Sequence, residues 1–191
     1  MNKSLLVSIV SFALAASANA ALKAGDNAPE FTAQASFAGK SFTYSLKDAL
    51  KKGPVVVYFY PSAFTGGCNL QAHTFAENKE KFDAAGASII GVSLDSIKRL
   101  NDFSADPNYC AGKIAVASDA DGKIAKSYDL KIGAANAAAK DTRGIAIDHG
   151  FAERTTFIVM PDGKIADVIG NMTPVENVEK ALQVIEKIGK K

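Results

Sequence analysis

Two continuous apolar runs dominate the hydrophobic pattern of this chain. Val55-Val56-Val57-Tyr58-Phe59-Tyr60 is β-branched or aromatic throughout, which is the composition of a strand covered on both faces. Ser88-Ile89-Ile90-Gly91-Val92-Ser93 reads as a second buried strand. Between them Leu70, Phe75 and Phe82 are expected to share one broad helical face, and Gly86 supplies a stop. Strand, helix and strand at this spacing predict a βαβ unit with parallel neighbours and a right-handed crossover.

The alternation continues downstream. A second helix is expected over 97–103 and a short strand over 114–117. Thr156-Phe157-Ile158-Val159-Met160 and Ile165-Ala166-Asp167-Val168-Ile169 flank Pro161-Asp162-Gly163, which predicts a hairpin. A last helix opens with Thr173-Pro174-Val175-Glu176, a capping box with proline in the first helical position. Its expected buried stripe is Val175, Val178, Leu182, Ile185 and Ile188. Residues 131–150 read poorly: 134–139 is nearly all alanine and suits a short helix, whereas 141–150 looks irregular. The expected fold class is α/β with a thioredoxin-like layout, a central mixed sheet flanked by helices in a single domain over residues 21–191.

Residues 1–20 read as an export signal. Lys3 precedes a mostly apolar 5–16 stretch, too short to span a bilayer, and Ala18-Asn19-Ala20 forms a small-x-small cleavage site. The expected location is therefore periplasmic or secreted, with no membrane association once the segment is removed. About 171 residues then remain, enough for one well-cored domain. The 22 basic and 20 acidic residues nearly cancel and form no basic cluster, which argues against a nucleic-acid surface. Asp119-Ala120-Asp121-Gly122 hints at a calcium loop, but the frame puts Ala117 and Tyr128 where ligands belong. His73 and His149 lack companions at zinc spacing, so no metal is expected.

Chemistry concentrates in Pro61-Ser62-Ala63-Phe64-Thr65-Gly66-Gly67-Cys68. Cys68 falls at the start of the first helix, where free backbone N–H groups and the helix dipole favour negative charge. A thiol there is expected to ionise more readily than a free one, and the thiolate is the nucleophile. Gly66 and Gly67 let the backbone approach a small ligand and turn its N–H groups inward. Thr65 brings a hydroxyl that could accept a bond from a bound hydroxyl and donate one to the sulfur. Pro61 ends the strand with a rigid ring that could shield the thiol from water. Each feature has an ordinary explanation as a turn, cap or strand terminator. Their conjunction beside a cysteine points to thiol chemistry.

Phe59-Tyr60-Pro61-x-x-x-Thr65-x-x-Cys68 resembles the peroxidatic motif of the peroxiredoxins, thiol peroxidases on a thioredoxin-like fold. The resemblance covers nearly all of the expected mature chain, from Gly25-Asp26-x-Ala28-Pro29-x-Phe31 through Gly91-Val92-Ser93-x-Asp95-Ser96 to Arg154-x-Thr156-Phe157-Ile158. It implies reduction of hydrogen peroxide and organic hydroperoxides, with no bound cofactor and a thioredoxin-like thiol as reductant. Cys68 would be the peroxidatic cysteine, cycling through sulfenic acid. Arg154 would hold the thiolate and polarise the peroxide, Thr65 orient it and Pro61 exclude solvent. The amides of Gly67 and Cys68 would stabilise developing charge.

Two departures leave the branch open between the peroxiredoxin Q type and one-cysteine types. A resolving cysteine often follows five residues after the first in the Q branch, and here that place is His73, read as a solvated helix residue. Cys110 is then the candidate resolving cysteine. The alternatives are an external thiol acting on a one-cysteine enzyme, or a static Cys68–Cys110 link. Gly66-Gly67 also stands where many members carry proline and a variable residue. A non-enzymatic sensor or binding protein, bridged permanently by its two cysteines, is the competing function. The chain is expected to be a monomer or a homodimer.

Overall fold

The computed structural model describes residues 22–189, so the expected export signal lies outside the described residues. Seven strands form one mixed sheet. β1 (Thr32–Phe37) and β2 (Lys40–Ser45) make an antiparallel hairpin followed by the short α1 (Leu46–Leu50). β3 (Val55–Phe59), α2 (Gly66–Ala84) and β4 (Ser88–Ser93) form the expected βαβ unit, with β3 and β4 parallel. α3 (Ile97–Ala105) leads to β5 (Ala115–Ser118), parallel to β4, and then to α4 (Lys123–Ser127). β6 (Ile132–Gly133) and β7 (Phe151–Ala152) pair as a separate two-residue ribbon. β8 (Thr155–Val159) and β9 (Ile165–Gly170) form the terminal hairpin, and α5 (Pro174–Gly189) follows. The strand order is β2-β1-β5-β4-β3-β8-β9.

β3 lies inside this sheet, between β4 and β8, and its place explains its composition. Val55, Val57 and Phe59 point into one core with Leu46, Tyr128 and Phe157. Val56, Tyr58 and Tyr60 point into the other, with Phe75, Phe82, Phe103 and both cysteines. Every position is therefore covered, and polar alternation is absent because neither face meets water. Gly91 of β4 lies opposite Tyr58, and a Cβ there would come within 2.5 Å of the tyrosine ring. A larger residue there would displace that ring.

Three expectations need correction. Leu70 is 46% exposed, because the buried stripe of α2 runs through Cys68, Gln71, Ala72, Phe75, Ala76 and Phe82. At 3.6 residues per turn, Leu70 falls nearly opposite Cys68. In α5 the fully covered positions are Asn177, Val178, Ala181 and Ile185, while Val175, Leu182 and Ile188 are half-buried. The alanine tract forms no helix. Asn136 accepts the Ala138 amide on Oδ1 at 3.0 Å and the Ala139 amide on its carbonyl at 2.8 Å, making a turn. Six residues are too few to nucleate a helix against that local competition.

Other expectations match. Thr173 and Glu176 exchange the two bonds of a capping box, at 3.1 Å and 3.3 Å, in front of Pro174. Asp119 caps α4 by accepting the amides of Ile124 and Ala125 at 2.9 Å and 2.8 Å. The β1–β2 hairpin, α1, α4 and the β6–β7 ribbon were not anticipated. Their alternation is weak, with Phe37 and Phe42 exposed on the edge hairpin.

Candidate active site

Thr65 is the N-cap residue of α2, with extended backbone angles, so Cys68 falls in the first helical turn. Gly66 and Gly67 are exposed at the helix start, where the first amides have no intrahelical acceptor. Cys68 itself is only 2% exposed. Arg154, immediately before β8, donates from Nη2 to Cys68 Sγ at 3.3 Å. A guanidinium so placed stabilises negative charge on the sulfur, as does the helix start. Two groups 86 residues apart in sequence thus meet at one atom.

Gly67 has a specific steric role. A Cβ there would lie 3.3 Å from Arg154 Nη2 and 3.4 Å from Pro174 Cγ. Its missing side chain leaves the passage through which the guanidinium reaches the sulfur. Arg154 Nη1 is meanwhile held by Gln71 Oε1. Gln71, completely buried on α2, was not anticipated as part of the site. A signal existed, because a polar residue three positions after Cys68 falls on the same helix face.

Thr65 differs from expectation. Its hydroxyl donates to the Ser62 carbonyl at 2.8 Å and makes no side-chain bond to its own helix. The proton is therefore committed to the loop, and the oxygen lone pairs face the remaining task of accepting from a ligand hydroxyl. Pro61 is half-buried at the strand end. His73 is partly exposed and lies 3.3 Å from Glu77 on the same helix, consistent with a solvated surface pair.

Cys110 lies in the turn after α3 and is completely buried in the same core cluster as Cys68. Both cysteines are free. Burial pushes the Cys110 thiol well above its ordinary range, with Asp106 adding to the effect. In this conformation it is a protonated, solvent-shielded thiol. The ring of Phe64 packs edge-on against both Phe103 and Tyr109, so the loop before Cys68 and the Cys110 turn share one aromatic wall.

The segment that read poorly, 131–150, clamps the loop before Cys68. Phe64 has a left-handed φ of +60°, rare for a residue with a large side chain. Thr142 donates to the Phe64 carbonyl from both its amide and its hydroxyl, at 2.8 Å and 2.9 Å. The Arg143 guanidinium stacks 3.2 Å from the Phe64 ring centroid. Asp95 accepts the Ala63 amide at 2.7 Å, and Arg99 donates to the Ala63 carbonyl at 2.9 Å. Arg99 also pairs with Asp95 and Asp141, and Arg143 with Asp141.

His149 completes this network with Nε2 2.9 Å from Asp95 Oδ1 and Nδ1 2.7 Å from the Gly150 carbonyl. Both partners are acceptors, so both ring nitrogens donate and the imidazole is cationic. Burial opposes that charge, but the bonds to Asp95 and Gly150 outweigh it and raise the His149 pKa. Asp95 is correspondingly lowered: burial opposes ionisation, and the His149, Ala63 and Ser93 bonds overcome it. Ser62, His149 and Asp95 carry the residue types of a hydrolytic triad. Their geometry is wrong for one, because Ser62 and Asp95 face the same ring nitrogen and Ser62 is fully buried.

A profile described as the AhpC/TSA family matches residues 24–168. The peroxiredoxin Bcp of Xanthomonas campestris is 34% identical over 111 residues, covering 58% of this chain and 62% of its own length. The crystal structure of peroxidoxin BcpB from Mycobacterium tuberculosis superposes with a TM-score of 0.72 at 27% identity, over 87% of this chain and 98% of that one. The bacterioferritin comigratory protein of Xanthomonas campestris, whose structure is described for alkyl peroxide reduction, gives 0.66 at 25% identity, over 83% and 92%.

Proposed function

We propose, from the premise that this chain belongs to the AhpC/TSA family and is a peroxiredoxin, that its peroxidase chemistry runs through Cys68. The protein is a thiol peroxidase that reduces peroxides with thioredoxin-like reductants. The Cys68 thiolate attacks the terminal oxygen of a hydroperoxide. An S–O bond forms as the O–O bond breaks, and the departing oxygen takes a proton to leave as water or alcohol. Sulfur becomes sulfenic acid. Arg154 holds the thiolate before attack and the charge moving along the O–O axis during it, while the free amides of the α2 start assist. Thr65 accepts from the peroxide hydroxyl, and Pro61 limits water. The observation that carries this reading is the 3.3 Å approach of Arg154 Nη2 to Cys68 Sγ.

Cys110 is proposed as the resolving thiol. Its sulfur displaces water from the sulfenic acid, giving a Cys68–Cys110 disulfide that a dithiol reductant then opens. The shared aromatic wall of Phe64, Phe103 and Tyr109 supports this pairing. The burial of both cysteines requires the start of α2 and the Cys110 turn to open first. The pattern of residues 1–20 supports an exported enzyme. Cell fractionation with sequencing of the mature N-terminus tests that point, and retention of residues 1–20 in a cytoplasmic fraction rejects it.

Peroxide consumption by Cys68→Ser tests the central reading. Turnover with a thiol reductant is expected to vanish, and retained turnover removes Cys68 from the mechanism. Non-reducing mass analysis after one equivalent of peroxide tests Cys110. A Cys68–Cys110 linkage is expected, and sulfenic acid alone excludes it.

A further inference from the structure

Asn177 is the one amide on the buried face of α5, and its hydrogen bonds converge from three other elements. It is completely buried. Its Nδ2 donates to the Ile169 carbonyl of β9 at 3.1 Å. Its Oδ1 accepts from Thr156 Oγ1 of β8 at 2.6 Å and from Gln71 Nε2 of α2 at 3.0 Å. Gln71 Oε1 in turn accepts from Arg154 Nη1, whose other terminal nitrogen reaches Cys68 Sγ.

The polarity of this chain is determined at its far end. A carbonyl oxygen only accepts, so the Ile169 carbonyl requires the amide nitrogen of Asn177 and turns Oδ1 towards Thr156 and Gln71. Gln71 must then present its NH2 group to Asn177. That leaves its oxygen, and only its oxygen, for the guanidinium. With the Gln71 amide reversed, NH2 would face N–H at Arg154 and the guanidinium would lose its anchor. Arg154 also meets the sulfur and the space left by Gly67, both at Nη2, but neither specifies its rotation about the Nη1 end.

We propose that Asn177 is a positioning residue for peroxide reduction, orienting Gln71 so that the Arg154 guanidinium is held in register with the Cys68 sulfur and the incoming O–O bond. The inference rests on the proposed role of Arg154. It places part of the precision of the site on α5, which carries no reacting group. An error of about 1 Å at a charge-stabilising donor costs on the order of 100-fold in rate, so a device that removes one rotational freedom from the guanidinium has a measurable effect.

The test measures the oxidation rate of Cys68 by hydrogen peroxide and, separately, its alkylation by iodoacetamide, both at a pH where the thiolate is fully formed. Alkylation needs the thiolate but no donor to a departing oxygen. For Asn177→Leu, peroxide oxidation is expected to fall on the order of 10-fold to 100-fold, with alkylation within about threefold of the parent. Gln71→Leu is expected to show the same pattern, and the double variant to be no slower than the worse single one, because both act through one contact.

Circular dichroism verifies the fold of each variant. Should Asn177→Leu not fold, Asn177→Ser, too short to reach Gln71, carries the same expectation. Equal losses in both reactions, losses that add in the double variant, or a peroxide rate within twofold of the parent overturn the inference. Arg154→Gln run alongside separates the causes. If it keeps the peroxide rate, the role of Arg154 fails and the inference with it; if it loses the rate while Asn177→Leu does not, only the inference about Asn177 fails.

Discussion

Gly67 and Arg154 illustrate how finely single residues act on this site. The glycine matters through an atom it lacks, since a methyl group there would come within 3.3 Å of Nη2. Gly67→Ala is expected to fold normally and to slow peroxide oxidation several-fold, by pressing the guanidinium off the sulfur. Stopped-flow measurement checks it, and an unchanged rate shows that the arginine has room to yield. Arg154→Lys keeps the charge but replaces a planar fork by one ammonium, which cannot bond Gln71 and the sulfur together. A loss on the order of 100-fold in the second-order rate with peroxide is expected. Pseudo-first-order oxidation traces read it directly.

Segments 62–65 and 141–149 behave as one working element. A left-handed Phe64 costs about 1–3 kcal/mol locally and persists only where the surroundings hold it. Those surroundings are Thr142 on its carbonyl, Arg143 on its ring, and the Asp95–Arg99 pair on Ala63. If Cys110 resolves the sulfenic acid as proposed, the α2 start must open, and this element holds the loop that leads into it. Thr142→Val combined with Arg143→Ala is therefore expected to accelerate disulfide formation after oxidation. The same variant should slow the preceding reaction with peroxide, because fewer molecules hold the wound form. Hydrogen exchange at the amides of 62–64 should quicken in parallel. Unaltered exchange in that variant would show that the clamp resides elsewhere.

The charge network gives the whole molecule a defined pH window. His149 has a raised folded pKa, so its contribution is complete below the unfolded value of about 6.5 and is lost as pH climbs through the folded value. Asp95 has a depressed folded pKa, so its contribution holds above about 3.9 and is lost as pH falls through the folded value. Stability is expected to be greatest between these limits. The midpoint of thermal unfolding should decline on the alkaline side in the parent protein, and His149→Gln should flatten that decline. A parallel profile for the two proteins would place the titrating group elsewhere. The buried layers on either side of β3 set the baseline on which this window is superimposed, with each fully covered Phe contributing about 1.5–3 kcal/mol.

What the linear chain determined by itself was local and periodic. The double-sided burial of Val55-Val56-Val57-Tyr58-Phe59-Tyr60, the βαβ spacing, the Thr173–Glu176 cap and the cysteine at a helix start all depend on neighbours a few residues apart. Arg154 was legible too, though only because its motif carried a resemblance. Gln71, Asn177, Asp95 and His149 were not legible as partners. Each is an ordinary polar residue until folding removes water and leaves only one geometry that satisfies its hydrogen bonds. The same holds for 131–150, whose composition suggested little and whose work consists of contacts to residues far away in the chain. Three-dimensional packing decided how tightly the sulfur, the guanidinium and the loop are held, because desolvation makes every buried donor and acceptor choose a partner.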